Sequence, residues 1–120
     1  MSLKLLRIHR LRKRAVFRKV YEDGRFVANR LLAFHFLPNP ENRQRVGFAA
    51  GKKLGGATVR NRCKRRLREC YRLNRDKMPA GMDCIIVARK ALLQADWAAL
   101  TAAFLEALRR SRGMIENRRQ

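Results

Sequence analysis

Acidic residues are scarce in this sequence. Asp and Glu number 9 against 30 Lys and Arg in 120 residues, which gives a formal net charge of +21. Of the basic residues, 22 are Arg and 8 are Lys, and the planar guanidinium of Arg pairs with phosphate through two parallel hydrogen bonds. An excess of this size strains a folded chain by self-repulsion unless a polyanion neutralises it. The composition therefore predicts a nucleic acid as partner, ahead of an anionic membrane surface or an acidic protein.

Long apolar runs and paired cysteines are also missing. No apolar segment approaches the roughly 20 residues that a membrane-spanning helix needs, and the first residues lack the uninterrupted apolar region of a secretory signal. Three cysteines is an odd number, typical of a reduced setting rather than of a disulfide framework. Together with His9 and His35 they show no metal-ligand spacing. We therefore expect a cytoplasmic protein with no membrane partner and no metal ion held by the protein.

The acidic residues are scattered rather than clustered. Metal-assisted hydrolysis of a phosphodiester needs neighbouring carboxylates that hold Mg²⁺. Glu69 is instead surrounded by arginines, and we expect it to pair with Arg65, Arg66 or Arg72. A histidine-based mechanism would need two placed imidazoles, and neither histidine lies in a supporting motif. We therefore expect no catalytic residue in this chain.

The first half of the chain predicts one helix and two strands. A hydrophobic content of 47% supports a single domain over residues 1–120 with a real core. Apolar residues at helical spacing predict a helix over residues 12–22, and an apolar, aromatic-rich stretch predicts one strand over residues 26–37. A second strand over residues 45–50 is expected to run antiparallel to the first.

The second half predicts two helices that flank a buried strand. The patterns indicate a helix over residues 58–74, a strand over residues 84–88 and a last helix over residues 96–110 with Asp96 as its N-cap. The element order is then α-β-β-α-β-α, which is an α+β fold arranged as a single α–β sandwich. A basic N-terminal arm of about residues 1–10 and a C-terminal tail of about residues 111–120 are expected to be loose.

The predicted helix over residues 58–74 has two unlike faces. Steps of 100° per residue place five residues on an apolar side: Val59, Cys63, Leu67, Cys70 and Tyr71. The opposite side carries a polar, mostly basic stripe: Asn61, Lys64, Arg65, Arg68 and Arg72. Like charges one turn apart repel each other, so a stripe of this kind favours contact with phosphate over a purely structural role.

A longer motif surrounds this helix. Residues 60–69 read Arg-Asn-Arg-Cys-Lys-Arg-Arg-Leu-Arg-Glu, preceded by Val-Gly-Phe at residues 46–48 and by Lys52 and Lys53. This pattern resembles the RNR signature of the bacterial ribonuclease P protein subunit. The resemblance extends from residue 11 through the last helix and includes Val-Ala-Asn-Arg at residues 27–30.

The resemblance implies an auxiliary protein for an RNA enzyme that removes the 5′ leader of precursor tRNA. The catalytic RNA would then carry the chemistry and hold most of the Mg²⁺, and the protein alone would be inactive. The partners would be that RNA and precursor tRNA, with no small-molecule substrate. The family fold also implies a left-handed β-α-β crossover around the Arg-rich helix. The alternative is a ribosomal or RNA-chaperone type of protein that binds RNA without any cleavage.

Two RNA-binding surfaces follow from the resemblance and the charge pattern. The surface expected to face the catalytic RNA comprises Lys52, Lys53, Arg60, Asn61, Arg62, Lys64, Arg65 and Arg68. The cleft expected to hold the single-stranded leader comprises Arg14, Phe17, Arg18, Tyr21, Asn29 and His35. Phe17 and Tyr21 share one helical face, where they serve either as core or as a base-stacking platform. His35 stands where the family usually has an aromatic ring, although imidazole also stacks on bases.

Overall fold

The computed structural model describes residues 14–119, with side chains described for residues 14–115. The predicted N-terminal arm and the first residues of the predicted first helix lie outside the described residues. The elements in chain order are α1 Arg14–Asp23, β1 Arg25–Ala28, β2 Leu32–Pro38, β3 Arg45–Ala50, α2 Ala57–Asn74, β4 Met82–Ala88 and α3 Trp97–Arg119. Short 3-10 turns lie at Lys52–Leu54, Arg75–Lys77 and Lys90–Gln94.

The four strands form one mixed sheet in the order β1-β2-β4-β3. The pairs β1–β2 and β2–β4 are antiparallel, whereas β3 and β4 are parallel and are joined through α2. The β-α-β connection around the Arg-rich helix is therefore present. The predicted α+β sandwich is confirmed.

The single strand predicted over residues 26–37 was wrong, because the chain folds there into a hairpin of β1 and β2. Oδ1 of Asn29 accepts hydrogen bonds from the backbone N–H groups of Leu31 at 3.1 Å and Leu32 at 3.2 Å. An Asn side chain that binds the backbone two residues on builds a turn. Both strands are largely apolar, so hydropathy alone does not reveal the break. The observed order is α-β-β-β-α-β-α.

The antiparallel pairing predicted for residues 45–50 was also wrong. Strand β4 lies between β2 and β3, and β3 pairs with it in parallel. In β4, six of the seven residues are buried. A strand that is apolar on both faces is stable where neighbouring strands and helices cover both its edges and both its faces. The most buried of the described strands therefore takes a central position.

Helix α3 continues to Arg119, although its predicted end was near Arg110 and the residues beyond were expected to be loose. Ser111 is 2% exposed and Ile115 is 7% exposed. The Ser111 hydroxyl donates to the carbonyl of Ala107 at 2.9 Å, which satisfies this buried polar group. The last turns of α3 thus belong to the packed domain.

The two faces of the sheet are covered unequally. Helices α2 and α3 pack on one face, where the larger buried cluster includes Phe34, Leu67 and Phe104. On the opposite face α1 covers a smaller cluster around Val20 and Ile85. The described part of α1 has 10 residues, and beside it side chains of this face near β1, such as Phe26, are exposed in the described structure.

Candidate nucleic-acid interface

Helix α2 buries one face, as the sequence predicted. Cys63, Leu67, Cys70 and Tyr71 are at most 1% exposed. Val59, in the first turn, is the exception, with 36% of its surface exposed. The apolar stripe therefore holds from the second turn of the helix onwards and fixes which side faces solvent.

The residues predicted to face the catalytic RNA divide into two groups by exposure. Five are exposed: Lys52, Lys53, Asn61, Arg62 and Arg65. Three are half-buried: Arg60, Lys64 and Arg68. All three half-buried side chains are long, and such side chains cover apolar surface with their stems while the charged end stays near water.

Arg68 and Arg60 take part in packing as well as in the charged surface. The guanidinium carbon of Arg68 lies 5.4 Å from the centroid of the Phe48 ring on β3, a cation–π distance. Nε of Arg60 is shielded from solvent and has no hydrogen-bond partner in the part of the chain that the structure describes. These two side chains are therefore more constrained than Arg62 and Arg65.

Two further arginines of α2 bind within the protein. Arg66 donates to the backbone carbonyl of Leu92 at 2.9 Å and to that of Ala95 at 2.5 Å. It thereby ties α2 to the segment that precedes α3. Nε of Arg72 donates to Oε2 of Glu69 at 3.0 Å, and this hydrogen bond holds the pKa of Glu69 below its ordinary value. Of the three partners proposed for Glu69, Arg72 is therefore the one observed.

The two lysines before α2 belong to a larger basic edge. Lys52 and Lys53 line an open groove together with Arg89 and Lys90, which follow β4. The carboxyl ends of parallel strands lie at the same edge of a sheet, so the ends of β3 and β4 bring these four cations together. Sequence reasoning missed Arg89 and Lys90, although two basic residues directly after a buried strand were the available signal.

A chain of four rings lies on the sheet face that α1 covers. Phe17 and Tyr21 have ring centroids 6.4 Å apart, and Tyr21 meets the ring of His35 edge-on at 4.8 Å. His35 is stacked with Phe26 at 5.2 Å and an interplanar angle of 23°. Phe17 packs against the smaller core cluster, whereas Tyr21 is 42% exposed. Phe17 thus packs partly against the core and partly against the ring of Tyr21, whereas Tyr21 lies mainly at the surface.

Burial changes the ionisation of this ring cluster. It lowers the pKa of His35 below 6.5 and raises the pKa of the Tyr21 phenol above 10. Burial thus favours the uncharged form of both side chains. Arg14 and Arg18 are exposed on the same helix, at spacings that place them beside Phe17 and Tyr21. The cluster is therefore an uncharged aromatic surface with arginines along its border.

Asn29 does not belong with these rings. Its amide nitrogen donates to the carbonyl of Ala103 at 2.9 Å and to Oε2 of Glu106 at 3.4 Å. Both acceptors lie on α3, which covers the other face of the sheet. The structure therefore separates Asn29 from the predicted leader cleft and gives its side chain a role in the hairpin turn and its attachment to α3.

The thiols and carboxylates of the described residues form no metal-binding group of three. The three cysteines are buried, and burial raises the pKa of Cys70 to about 11 and that of Cys84 to about 12. Asp83 accepts two hydrogen bonds from Arg45, at 2.7 and 2.8 Å. Among the helices that the structure describes, none is long and apolar enough to cross a membrane.

Comparison with known proteins gives a consistent family. The family model described as Ribonuclease P matches residues 5–112. The chain is 44% identical over 103 residues to the ribonuclease P protein component of Alkaliphilus oremlandii, covering 86% of this chain and 90% of that relative. It is 49% identical over 86 residues to the ribonuclease P protein component of Symbiobacterium thermophilum, covering 71% of this chain and 75% of that relative.

Solved structures agree with this assignment. The RNase P protein of Staphylococcus aureus superimposes with a TM-score of 0.78 at 29% identity, covering 86% of this chain and 94% of that one. The RNase P protein of Thermotoga maritima gives a TM-score of 0.76 at 31% identity, covering 84% of this chain and 96% of that one. The family-model match over residues 5–112 includes the Arg-rich helix, the ring cluster and the whole sheet, and the chain belongs to the family of bacterial ribonuclease P protein components.

Proposed function

We propose that this protein binds two RNAs on two different parts of its surface, the catalytic RNA along α2 and the 5′ leader of precursor tRNA along the ring cluster. As a ribonuclease P protein component, the chain is a subunit of the ribonucleoprotein endonuclease that matures the 5′ end of tRNA. A ribosomal or RNA-chaperone role is not favoured, because the family match covers nearly the whole chain.

The contact with the catalytic RNA is assigned to the exposed side of α2 and the lysines before it. The assigned residues are Lys52, Lys53, Arg60, Asn61, Arg62, Lys64, Arg65 and Arg68. A surface built on a helix holds its charges at fixed spacing, which suits the regular spacing of phosphates. The hydrogen bonds of Arg66 to Leu92 and Ala95 support this role, because they keep α2 fixed relative to the rest of the domain.

The contact with the leader is assigned to Phe17, Tyr21 and the bordering Arg14 and Arg18. Base–aromatic stacking tolerates any sequence, because every base has a π face, and a leader that varies between precursor tRNAs needs such tolerance. The arginines would hold the phosphates on either side of a stacked base. Mature tRNA has no leader, so this surface would distinguish substrate from product.

Mg²⁺ is assigned to the catalytic RNA rather than to this protein. The protein surfaces described above are strongly cationic, and cations repel a bare divalent metal ion while they attract phosphate. The protein would instead raise affinity for substrate and lower the Mg²⁺ concentration that the complex needs, because its arginines neutralise part of the RNA charge. We also place this activity in the cytoplasm, where tRNA is matured in bacteria.

The observation that supports this proposal is that a basic helix and a cluster of aromatic rings lie on opposite faces of one sheet. α2 packs on one face, and the ring cluster lies on the other. The test is reconstitution of the purified protein with its cognate catalytic RNA and a precursor tRNA. The complex should release the 5′ leader at a Mg²⁺ concentration at which the RNA alone is slow, and the protein alone should leave the substrate intact. Metal-dependent cleavage by RNA-free protein would contradict the assignment.

A further inference from the structure

Phe26 is the most exposed large apolar side chain in the described part of the protein, with 59% of its surface open to solvent. It lies on β1, which is at the edge of the sheet formed by the described strands and pairs there with β2. Directly opposite in the register stands His35, and the two rings are stacked. One face of the phenyl ring is therefore backed by the imidazole, and the described residues leave its outer face open.

The ring of His35 is contacted by two other rings. Phe26 is stacked on it at 5.2 Å and Tyr21 contacts it edge-on at 4.8 Å, with an interplanar angle of 79°. The half-buried imidazole therefore offers less open ring surface to a base than Phe26 does. The stacking surface on this strand pair is therefore displaced from His35 to Phe26, one strand nearer the edge of the sheet.

The charges around Phe26 indicate what stacks on it. Arg14 and Arg18 are exposed on α1, the helix that packs on the same face of the sheet as Phe26, whereas Arg25, the preceding residue on β1, points to the opposite face. Guanidinium groups beside an open aromatic face fit an unpaired base with its flanking phosphates. An apolar protein partner would have to approach a chain of net charge +21, which favours a polyanion instead.

We propose that Phe26 is a stacking site for one unpaired base of the 5′ leader, in addition to the bases that Phe17 and Tyr21 contact. The proposal rests on the proposed function and extends it, because it adds a nucleotide to the length of leader that the protein recognises. His35 becomes a positioning residue that holds the Phe26 ring in place. The site should accept any of the four bases.

The experiment uses the reconstituted ribonucleoprotein and a set of precursor tRNAs, each with a single abasic nucleotide at a successive leader position. For the wild-type protein, the dissociation constant should rise at each position whose base is stacked. Phe26→Ala should weaken binding of the intact leader by about tenfold, as expected for one lost stacked base. In this variant the abasic penalty should disappear at one position, and Tyr21→Ala should abolish it at a different position.

Two matched substitutions separate stacking from simple packing. Phe26→Leu keeps an apolar cover over His35 without an aromatic face, and it should behave like Phe26→Ala in binding. Phe26→Trp should restore the affinity. Binding of mature tRNA and the thermal midpoint followed by circular dichroism should stay near the wild-type values for all three variants.

Three results would overturn the proposal. The first is that Phe26→Ala shows the wild-type abasic penalty at every leader position, while Tyr21→Ala loses the penalty at one position. The leader would then bind the cleft without contacting Phe26. The second is loss of affinity for mature tRNA, or a large fall in the thermal midpoint, which makes Phe26 a packing residue. The third is a wild-type complex that binds precursor and mature tRNA equally, which refutes the leader cleft as a whole.

Discussion

Arg65 and Arg66 are adjacent in the sequence, and the structure predicts opposite consequences for their loss. Arg65 is exposed on the side of α2 assigned to the catalytic RNA. Arg66 is half-buried and donates to the carbonyls of Leu92 and Ala95. We therefore expect Arg65→Ala to weaken RNA binding without loss of stability, and Arg66→Ala to lower stability first.

The size of the Arg66 effect follows from its two hydrogen bonds. A hydrogen bond from a charged donor contributes about 1.5–3 kcal/mol when it is buried, and partial exposure of Arg66 reduces this to about 1 kcal/mol each. Arg66→Ala should thus lower the free energy of unfolding by about 2 kcal/mol. For a domain of this size, that corresponds to a fall of about 8 °C in the thermal midpoint. Arg66→Lys should recover only part of it, since an ammonium does not reproduce the planar fork.

Arg65→Ala should leave the free energy of unfolding within about 0.5 kcal/mol of wild type, because Ala is the best helix former. The assay is titration of the catalytic RNA with protein at several salt concentrations. One lost phosphate contact should reduce the slope of log affinity against log salt by about 0.7–0.9. Arg66→Ala, measured below its thermal midpoint, should keep the wild-type slope.

Exposed cations outside α2 provide a control for the loss of net charge in Arg65→Ala. Lys77 and Arg109 are exposed and line a groove beside the second half of α3. Removing either one changes the net charge as Arg65→Ala does, so a slope change of equal size in all three variants would mean that only total charge matters. A fall in stability for Arg65→Ala equal to that of Arg66→Ala would refute the separation of the two roles.

Three further predictions concern the ring cluster and the core. Tyr21→Ala should weaken binding of precursor tRNA by about 1–3 kcal/mol in an affinity titration while mature tRNA is unaffected, and equal losses for both RNAs would contradict the leader contact. Burial lowers the pKa of His35 in the folded chain, so below pH 6.5 the unfolded chain binds more protons and the free energy of unfolding falls as the pH decreases. Above that pH His35 no longer makes stability depend on pH. Urea unfolding should show a smaller fall for His35→Phe than for wild type, and an equal fall would assign the pH dependence to other groups. Leu67→Ala, at a fully buried position, should cost about 2–5 kcal/mol of stability, and a value near zero would mean that α2 is not anchored through this face.

The features predicted correctly were those that depend on local periodicity. The apolar and basic sides of α2 are separated by helical geometry alone, and Leu67 and Arg65 lie where the angle count puts them. The helix likewise placed Glu69 within reach of the three arginines proposed for it, of which Arg72, three residues away, is the partner observed. Neighbours at this distance are fixed as soon as the helix forms, so the sequence is sufficient to predict them.

The features that were missed depend on distant partners. The acceptors of Arg66 lie 26 and 29 residues away, and the amide of Asn29 finds its acceptor 74 residues away. Phe26 resembled an ordinary strand residue, because its stacking on His35 depends on the pairing of β1 with β2. Without the strand order, the sequence offered no means of placing these groups next to each other.

The central position of β4 has a consequence for how the protein folds during synthesis. Among the described strands, β3 pairs with β4 alone. Strand β4 also pairs with β2, on the side of β2 that faces away from β1. While the ribosome is still adding residues 82–88, β3 has no strand to pair with, and the β1–β2 hairpin on its own is marginally stable. The sheet therefore cannot close before β4 has been made, and it closes through contacts that are distant in sequence, a feature that slows folding in general. Until then the nascent chain carries exposed strand edges together with a large positive charge, and that charge keeps such chains apart from one another.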